Sequence, residues 1–483
     1  MDINLPHSEY ILRELFLYKG IGFLYNTNGM VMDRSSKIMP GWLGLLALVV
    51  IIGLPVSASA AIIRDTEIEQ TLLKMARPMA QQAGLNPDRI GVRIVNNSQY
   101  NAFVMADSII FIHSGLLMQA ENMIEVAGVM AHEIGHIASG HVQRRGEVIE
   151  DAGITSLLGV VAAVTLSAAG SGDAAFGVLA GGFDRSTRIV MARSRQDEGV
   201  ADEWAIRLTK SQNYSLHPMT ETMRKLAAQR MLPQSRQTDY YLSHPGALER
   251  SAVFQDYINN HEKDPLPEPA WMEASFQRIK EKLEAWTFPP KTTIANTIGD
   301  ESPEARFKRA VAFLRLSDVV AARDEMAELV TAFPDDPYYR EFYGDTLRSS
   351  GEGLAAARQY EKTLMIFEGE AFADQPVNTG QILLSMGRAY LATGDPEHLP
   401  LAIEALEMAT IEEPEWAFVK HQLGIGYGKA GRFAEADLTL AEEALLKRNT
   451  ELATQLAKRV SANPDATPVQ KQLAADIIAQ AGS

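Results

Sequence analysis

A chain of 483 residues, 46% hydrophobic and 22% charged, has the make-up of folded protein with room for two or three domains, and disorder is excluded. Its 45 basic residues against 61 acidic ones give a formal charge of -16, which argues against phosphate backbones and hence against a nucleic-acid partner. With no cysteine there is no disulfide, no thiolate nucleophile and no sulfur ligand, so any metal must be held by His, Asp or Glu.

Near the start, Arg34 and Lys37 lead into an uncharged, mostly apolar run over residues 42–56 and then into Ser57-Ala58-Ser59-Ala60-Ala61. This is the three-part pattern of a secretory signal peptide, with Ala58-Ser59-Ala60 as the cleavage site. The apolar run is shorter than the roughly 20 residues that span a bilayer. Residues 1–31 fit no signal-peptide start because Glu9 and Glu14 are acidic, so translation is expected to begin at Met30 or Met32. Residues 1–60 are therefore read as an N-terminal extension and a signal peptide cleaved near Ala60. Export without disulfides points to a bacterial periplasm.

Apolar residues at helical spacing predict a helix over 66–84 that ends on Gly84. Residues 90–95 and 108–113 read as short strands; the second, SIIFIH, is followed by Ser114-Gly115 as a turn and offers an edge on which an extended substrate could align. Ile124, Ala127, Met130, Ile134 and Ile137 then follow the helix repeat over 121–141, and Gly140 closes it. Residues 153–182 hold two apolar blocks interrupted at 170–173, each too short to cross a membrane, which reads as a buried or lid-like helical pair. Helical patterning resumes from 186 to 230. Five prolines around one predicted helix in 261–304 place a domain boundary at 290–302, dividing residues 61–290 from residues 300–483.

Beyond that boundary the sequence repeats. Ala310, Gly344, Gly387 and Gly424 mark matching units spaced 34, 43 and 37 residues apart, with Ala322, Ala356 and Ala436 twelve residues further on in three of them. Gly351, Gly394 and Gly431 fall seven residues after their glycines, and Tyr390 and Tyr427 three after theirs. The pattern resembles the tetratricopeptide repeat, whose period of about 34 residues comes from two antiparallel helices. The longer steps imply insertions around 369–376 and 396–400. Arrays of this kind bind segments of other proteins.

The chemistry lies in the first half. His132-Glu133-Ile134-Gly135-His136 matches H-E-x-x-H within a predicted helix, so both imidazoles project from one face, a turn apart, and can share a tetrahedral ion. Glu133 sits beside them, able to reach a metal-bound water without being a ligand. Catalytic zinc needs a third protein ligand and an open position. In residues 194–202, SRQDEGVAD, Glu198 and Asp202 share one helical face; Glu198 could bind the ion while Asp202 accepts the outward N–H of a ligating histidine. His141 reads either as a further polar group at the site or as a helix-terminal residue interacting with the dipole.

HEIGH at 132–136, SRQDEGVAD at 194–202 and Ser243-His244-Pro245 followed by Arg250 resemble the zinc metallopeptidases that include HtpX and the CAAX prenyl protease. The peptidase resemblance spans residues 65–260 and the repeat resemblance about 300–450. A signal peptide in place of anchoring spans, with C-terminal repeats, makes the chain most similar to periplasmic members that enhance beta-barrel assembly. The resemblance implies a mainly α protein: a zincin-type α+β peptidase domain with a small sheet, then an α-solenoid of repeats. It implies one zinc ion per chain on His132, His136 and Glu198, with Glu133 as catalytic base and Asp202 as support. His244 is left with two roles: oxyanion donor, or occupant of the open metal position that keeps the enzyme latent. Arg250 would orient that loop or a substrate carboxylate. The expected function is a zinc endopeptidase that removes unfolded or misassembled outer-membrane proteins, its repeats docking to those proteins or to their insertion machinery. The alternative is a latent peptidase serving mainly as a repeat-based chaperone or scaffold.

Overall fold

The computed structural model describes residues 62–105, 108–143, 195–231, 244, 246–262, 264–373 and 377–482. The expected signal peptide and the segment 153–182 lie outside the described residues. No helix among the described residues is long and apolar enough to cross a membrane.

Strand β1 (Ile62–Ile63) precedes helix α1 (Thr66–Gln82), whose first turn is capped by the Asp65 side chain accepting from the amide of Ile68. Leu72, Met75, Ala76 and Met79 are buried along its inner face, and Gly84 ends it at φ +76°. Strands β2 (Gly91–Val95), β3 (Ala102–Met105) and β4 (Ile109–His113) complete a sheet ordered β1-β2-β4-β3. β4 runs parallel to β2, with Ile94 opposite Ile112, and antiparallel to β3, with Val104 opposite Ile110.

Here the structure corrects the sequence reading. The SIIFIH strand is interior rather than an edge, flanked by β2 and β3; its consecutive buried residues Ile110, Phe111, Ile112 and His113 are what a strand covered on both faces requires. The edges are β1 and β3, of two and four residues, spans too short for periodicity to announce. Nor is Ser114-Gly115 a turn. It opens a short helix, α2 (Ser114–Gln119), where a Cβ on Gly115 would meet the Ser98 carbonyl oxygen at 2.2 Å.

Helix α3 (Met123–Ala138) starts at Asn122, whose side chain accepts from the amide of Glu125. Every residue from Met123 to Ile137 is buried, so α3 is a central helix covered on all sides. It packs against β3, α1, α4 (Arg195–Ser211), α5 (His217–Ala228) and α7 (Ala270–Thr287), while α6 (Ala247–His261) lies on α5 and α4. Pro290 begins helix α8 (Pro290–Thr297), in a first turn that needs no proline N–H, so the proline-rich stretch holds two helices where one was expected.

Helix pairs follow in antiparallel order: α9 (Pro303–Arg315) with α10 (Val319–Ala332), α11 (Pro337–Ser349) with α12 (Gly353–Phe367), α13 (Gly380–Ala392) with α14 (Leu399–Glu412), and α15 (Ala417–Lys429) with α16 (Phe433–Leu446). The mainly α, two-part fold class read from the sequence is the one observed. A Cβ on Gly344 would meet the Tyr360 ring at 2.7 Å, and one on Gly387 would meet Leu406 at 2.5 Å, so these glycines set how closely each pair approaches. A further pair, α17 (Thr450–Ala462) and α18 (Pro468–Gly482), extends the array beyond the units the sequence showed.

The array is clasped to the start of α1. Arg64 pairs with Glu69 and, at 2.6 Å, with Glu413, its guanidinium 4.2 Å over the Trp416 ring; Arg93 joins both carboxylates. Thr66 donates to Glu341 at 2.8 Å, and Lys282 and Arg278 of α7 bind Asp65, Glu67 and Asp336. α7 itself serves two cores: Met272, Phe276, Ile279 and Leu283 in the one around α3, Ala285 in the one around Phe307 and Tyr339.

Candidate active site

The site forms where α3 crosses α4. The crossing is close because position 135 lacks a side chain: a Cβ there would lie 2.7 Å from Cβ of Trp204 and 3.1 Å from the Ala201 carbonyl oxygen. One turn earlier on α4, Glu198 is thereby brought against the two histidines of α3. His132, Glu133, His136 and Glu198 are all fully buried, and His244, arriving from the residues before α6, is 1% exposed.

Four donor atoms converge. His132 Nε2 lies 3.1 Å from His136 Nε2 and 3.4 Å from Glu198 Oε2, and His136 Nε2 is 3.4 Å from Glu198 Oε1. His244 Nδ1 is 3.3 Å from His132 Nε2 and 3.0 Å from Glu198 Oε2. Ligands about 2.0–2.1 Å from a tetrahedral ion stand about 3.3 Å from one another; each of these four residues offers a ligand atom within 4.8 Å of the others, a group that could hold a metal ion. Two of the buried carboxylates, Glu198 and Asp202, share the Arg250 guanidinium.

Behind the donors stands a layer of fixed partners. Asp202 Oδ1 is 3.0 Å from His132 Nδ1, on the face of the ring away from the other donors. Arg250 holds Asp202 through two hydrogen bonds of 2.7 Å and reaches Glu198 Oε2 at 2.6 Å. The guanidinium thus grips the site's own carboxylates. Burial alone would push the Glu198 carboxyl up, but the His244 charge and hydrogen bonds from the three imidazoles hold it well below the usual carboxylate range. Asp202 is lowered likewise, burial being outweighed by His132 and Arg250. His132 is pushed up, because Asp202 and Glu198 together outweigh its desolvation.

His141 lies at this site and is not merely a helix-end residue. Gly140 turns the chain at φ +65°, and the His141 ring folds back to place Nδ1 2.8 Å from His136 Nδ1. Its Nε2 stands 3.3 Å from Asp197 Oδ1. Asp197 went unnoticed in the sequence; the signal that could have found it is its place beside Glu198 in the first turn of the same helix. His244 Nε2, for its part, lies 3.5 Å from Glu133 Oε1.

A buried His-Glu-x-x-His helix crossed by a helix that supplies a third, acidic donor defines a metallopeptidase, and the chain is one. Comparison with known proteins agrees: residues 63–258 match Peptidase family M48. The chain is 21% identical over 348 residues to the Beta-barrel assembly-enhancing protease of Escherichia coli (strain K12), covering 70% of this chain and 68% of that one. It is 22% identical over 365 residues to the protein of the same name from Yersinia pestis, covering 74% and 71%. To Metalloprotease LoiP of Escherichia coli (strain K12) it is 28% identical over 203 residues, covering 40% and 72%.

Proposed function

We propose that the chain is a zinc endopeptidase of the bacterial periplasm that removes unfolded or misassembled outer-membrane proteins. The proposal assigns residues 61–290 to the peptidase domain and 300–483 to the repeats that dock it to those proteins or to their insertion machinery. The observation that carries the catalytic part is the buried donor group of His132, His136, Glu198 and His244 beside Glu133. The beta-barrel substrate class is taken from the names of the relatives, and the repeat array supports a docking role.

His132, His136 and Glu198 would hold the zinc. When bound, the ion supplies Lewis acidity to a water and to a peptide carbonyl. Glu133 takes the proton from the water and returns it to the leaving amine. Asp202, itself gripped by Arg250, holds His132 in the tautomer that presents Nε2 to the metal. Among the described residues β3 pairs only with β4, so its outer edge would offer backbone groups to an extended substrate.

His244 Nδ1, 3.3 Å from His132 Nε2 and 3.0 Å from Glu198 Oε2, would stand at the fourth position, where water must enter, and this supports its latch role over that of oxyanion donor. The wild type is then quiet. The same contact supports a second reading, in which the peptidase stays latent and the repeats act mainly as a chaperone or scaffold. Both are tested by measuring zinc content and cleavage of an unfolded outer-membrane barrel protein in the wild type, in His244→Ala and in His244→Ala with Glu133→Gln. Cleavage released by the first change and abolished by the second, with zinc retained, is expected. One zinc per chain with no cleavage in His244→Ala would turn the function over to the repeats.

A further inference from the structure

The two metal-ligating histidines are not backed alike. His132 has a carboxylate directly behind it, whereas behind His136 stands a second imidazole. The direction of the hydrogen bonds there follows from the metal. An imidazole that gives its Nε2 lone pair to an ion carries its proton on Nδ1. His136 Nδ1–H must then donate, and the only role left to His141 Nδ1, 2.8 Å away, is to accept. His141 in turn carries its proton on Nε2, the nitrogen that faces Asp197 Oδ1 at 3.3 Å.

We propose that His141 and Asp197 form a positioning pair that orients His136 and fixes its metal-binding tautomer, doing through an imidazole relay what Asp202 does directly for His132. The inference rests on the reading of His136 as a metal ligand. Three features of the fold build the pair. Gly140, in the left-handed conformation, reverses the chain after α3 and returns His141 to the helix it has just left. Burial of His141 to 7% exposure keeps water from competing for His136. Asp197 adjoins Glu198 in the first turn of α4, so one helix end carries both a metal ligand and the anchor for another ligand's support. Three carboxylates within six residues, Asp197, Glu198 and Asp202, then serve one ion: one by binding and two by holding the histidines.

The test is the zinc affinity of the full chain, measured by competition with a chelator, with thermal unfolding of the metal-free protein as the control for fold. His141→Phe keeps ring bulk but cannot accept from His136, and a zinc affinity about 10–100-fold weaker is expected, the usual scale for losing a ligand's outer partner. His141→Gln, whose carbonyl can accept from His136 while its amide donates to Asp197, should recover most of that loss; a role in packing alone would show no such rescue. Zinc bound by His141→Phe as tightly as by the wild type would overturn the proposal. If that variant does not fold, Asp197→Ala at a part-exposed position carries the test, and wild-type affinity there overturns it equally. His136→Ala separates the two readings. Undiminished zinc binding in His136→Ala overturns the metal centre itself, whereas loss there with none in His141→Phe overturns only the positioning pair.

Discussion

Gly135→Ala adds one methyl group at the crossing of α3 and α4, and its effect can be worked from the contacts. The new carbon would stand 2.7 Å from Cβ of Trp204 and 3.2 Å from Cα of Ala201, where carbon atoms ordinarily stop at about 3.5–4.0 Å. Cβ of Trp204 and the backbone of Ala201 cannot swing aside as a flexible side-chain end could, so α4 must back away by roughly 0.8 Å to restore ordinary contact. Glu198 lies one turn from Ala201 on the same helix and retreats with it, whereas metal–ligand distances tolerate only about 0.2 Å. Zinc affinity should fall about 10-fold or more. Overpacking costs about 1–3 kcal/mol, offset in part by the roughly 1 kcal/mol that alanine gains over glycine inside a helix. The expected net loss is therefore about 0–2 kcal/mol. Urea unfolding of the metal-free protein and chelator competition measure the two effects separately. A variant that gains the full helix-propensity increment and binds zinc like the wild type would refute the argument that Gly135 sets the crossing.

Three further outcomes follow from the repeats and their contact with α1. Glu413→Ala would strand Arg64 and Arg93 with Glu69 as their shared anionic partner in a largely buried network, and a loss of about 3–5 kcal/mol is expected in chemical denaturation. Ser317 stands at φ +63°, seven residues after Ala310, where three later units have glycine; Ser317→Gly should raise stability by about 1 kcal/mol, read as an increase in Tm. Glu341 is pushed up to about 8 by burial and by Asp65 and Asp345, against the pull of Lys282. The folded state therefore holds this proton more tightly than the unfolded chain, so its contribution is present in full below about pH 4.5, falls as pH rises towards 8 and is constant above. Glu341→Gln should flatten that part of the stability–pH curve, and an unchanged slope would remove Glu341 as its source.

What the sequence disclosed and what it hid divide along a physical line. The His132–His136 pair and the Glu198–Asp202 pair were legible because each is a local spacing on a helix, and geometry fixes what four residues apart means. Gly344, Gly387 and Gly424 were legible because a close approach between helices admits only small residues. The hidden parts are those whose meaning depends on a distant partner. Thr66, Glu67, Glu69 and Gln70 look like the solvated side of an amphipathic helix, yet all are buried at 4–6% exposure; Thr66 meets Glu341 of the repeats, Glu67 meets α7, and Glu69 meets Arg64 and Arg93, which also bind Glu413. Pair α17–α18 escaped notice for a similar reason: Ala457 keeps the spacing, but Pro464 stands seven residues on, where three of the other turns have glycine. The interior place of β4 was concealed because a run of buried residues reads the same in any covered strand until its neighbours are known.

The crossing of α3 and α4 gives the site a property that no single residue has. Asp197, Glu198 and Asp202 all ride on the first turns of α4, and Gly135 sets how near that helix stands. On the proposed reading Asp202 would act through His132, and Asp197 through His141 on His136, so each support would have value only while Glu198 closes the donor set. Residues that act on one ion through one rigid element do not contribute independently. Combining Asp197→Ala with Asp202→Ala should therefore cost less zinc affinity than the two separate losses multiplied, because the first already loosens a centre that the second supports. Additive losses within the error of the chelator assay would mean that the two histidines are held separately, and that α4 does not act as their common frame.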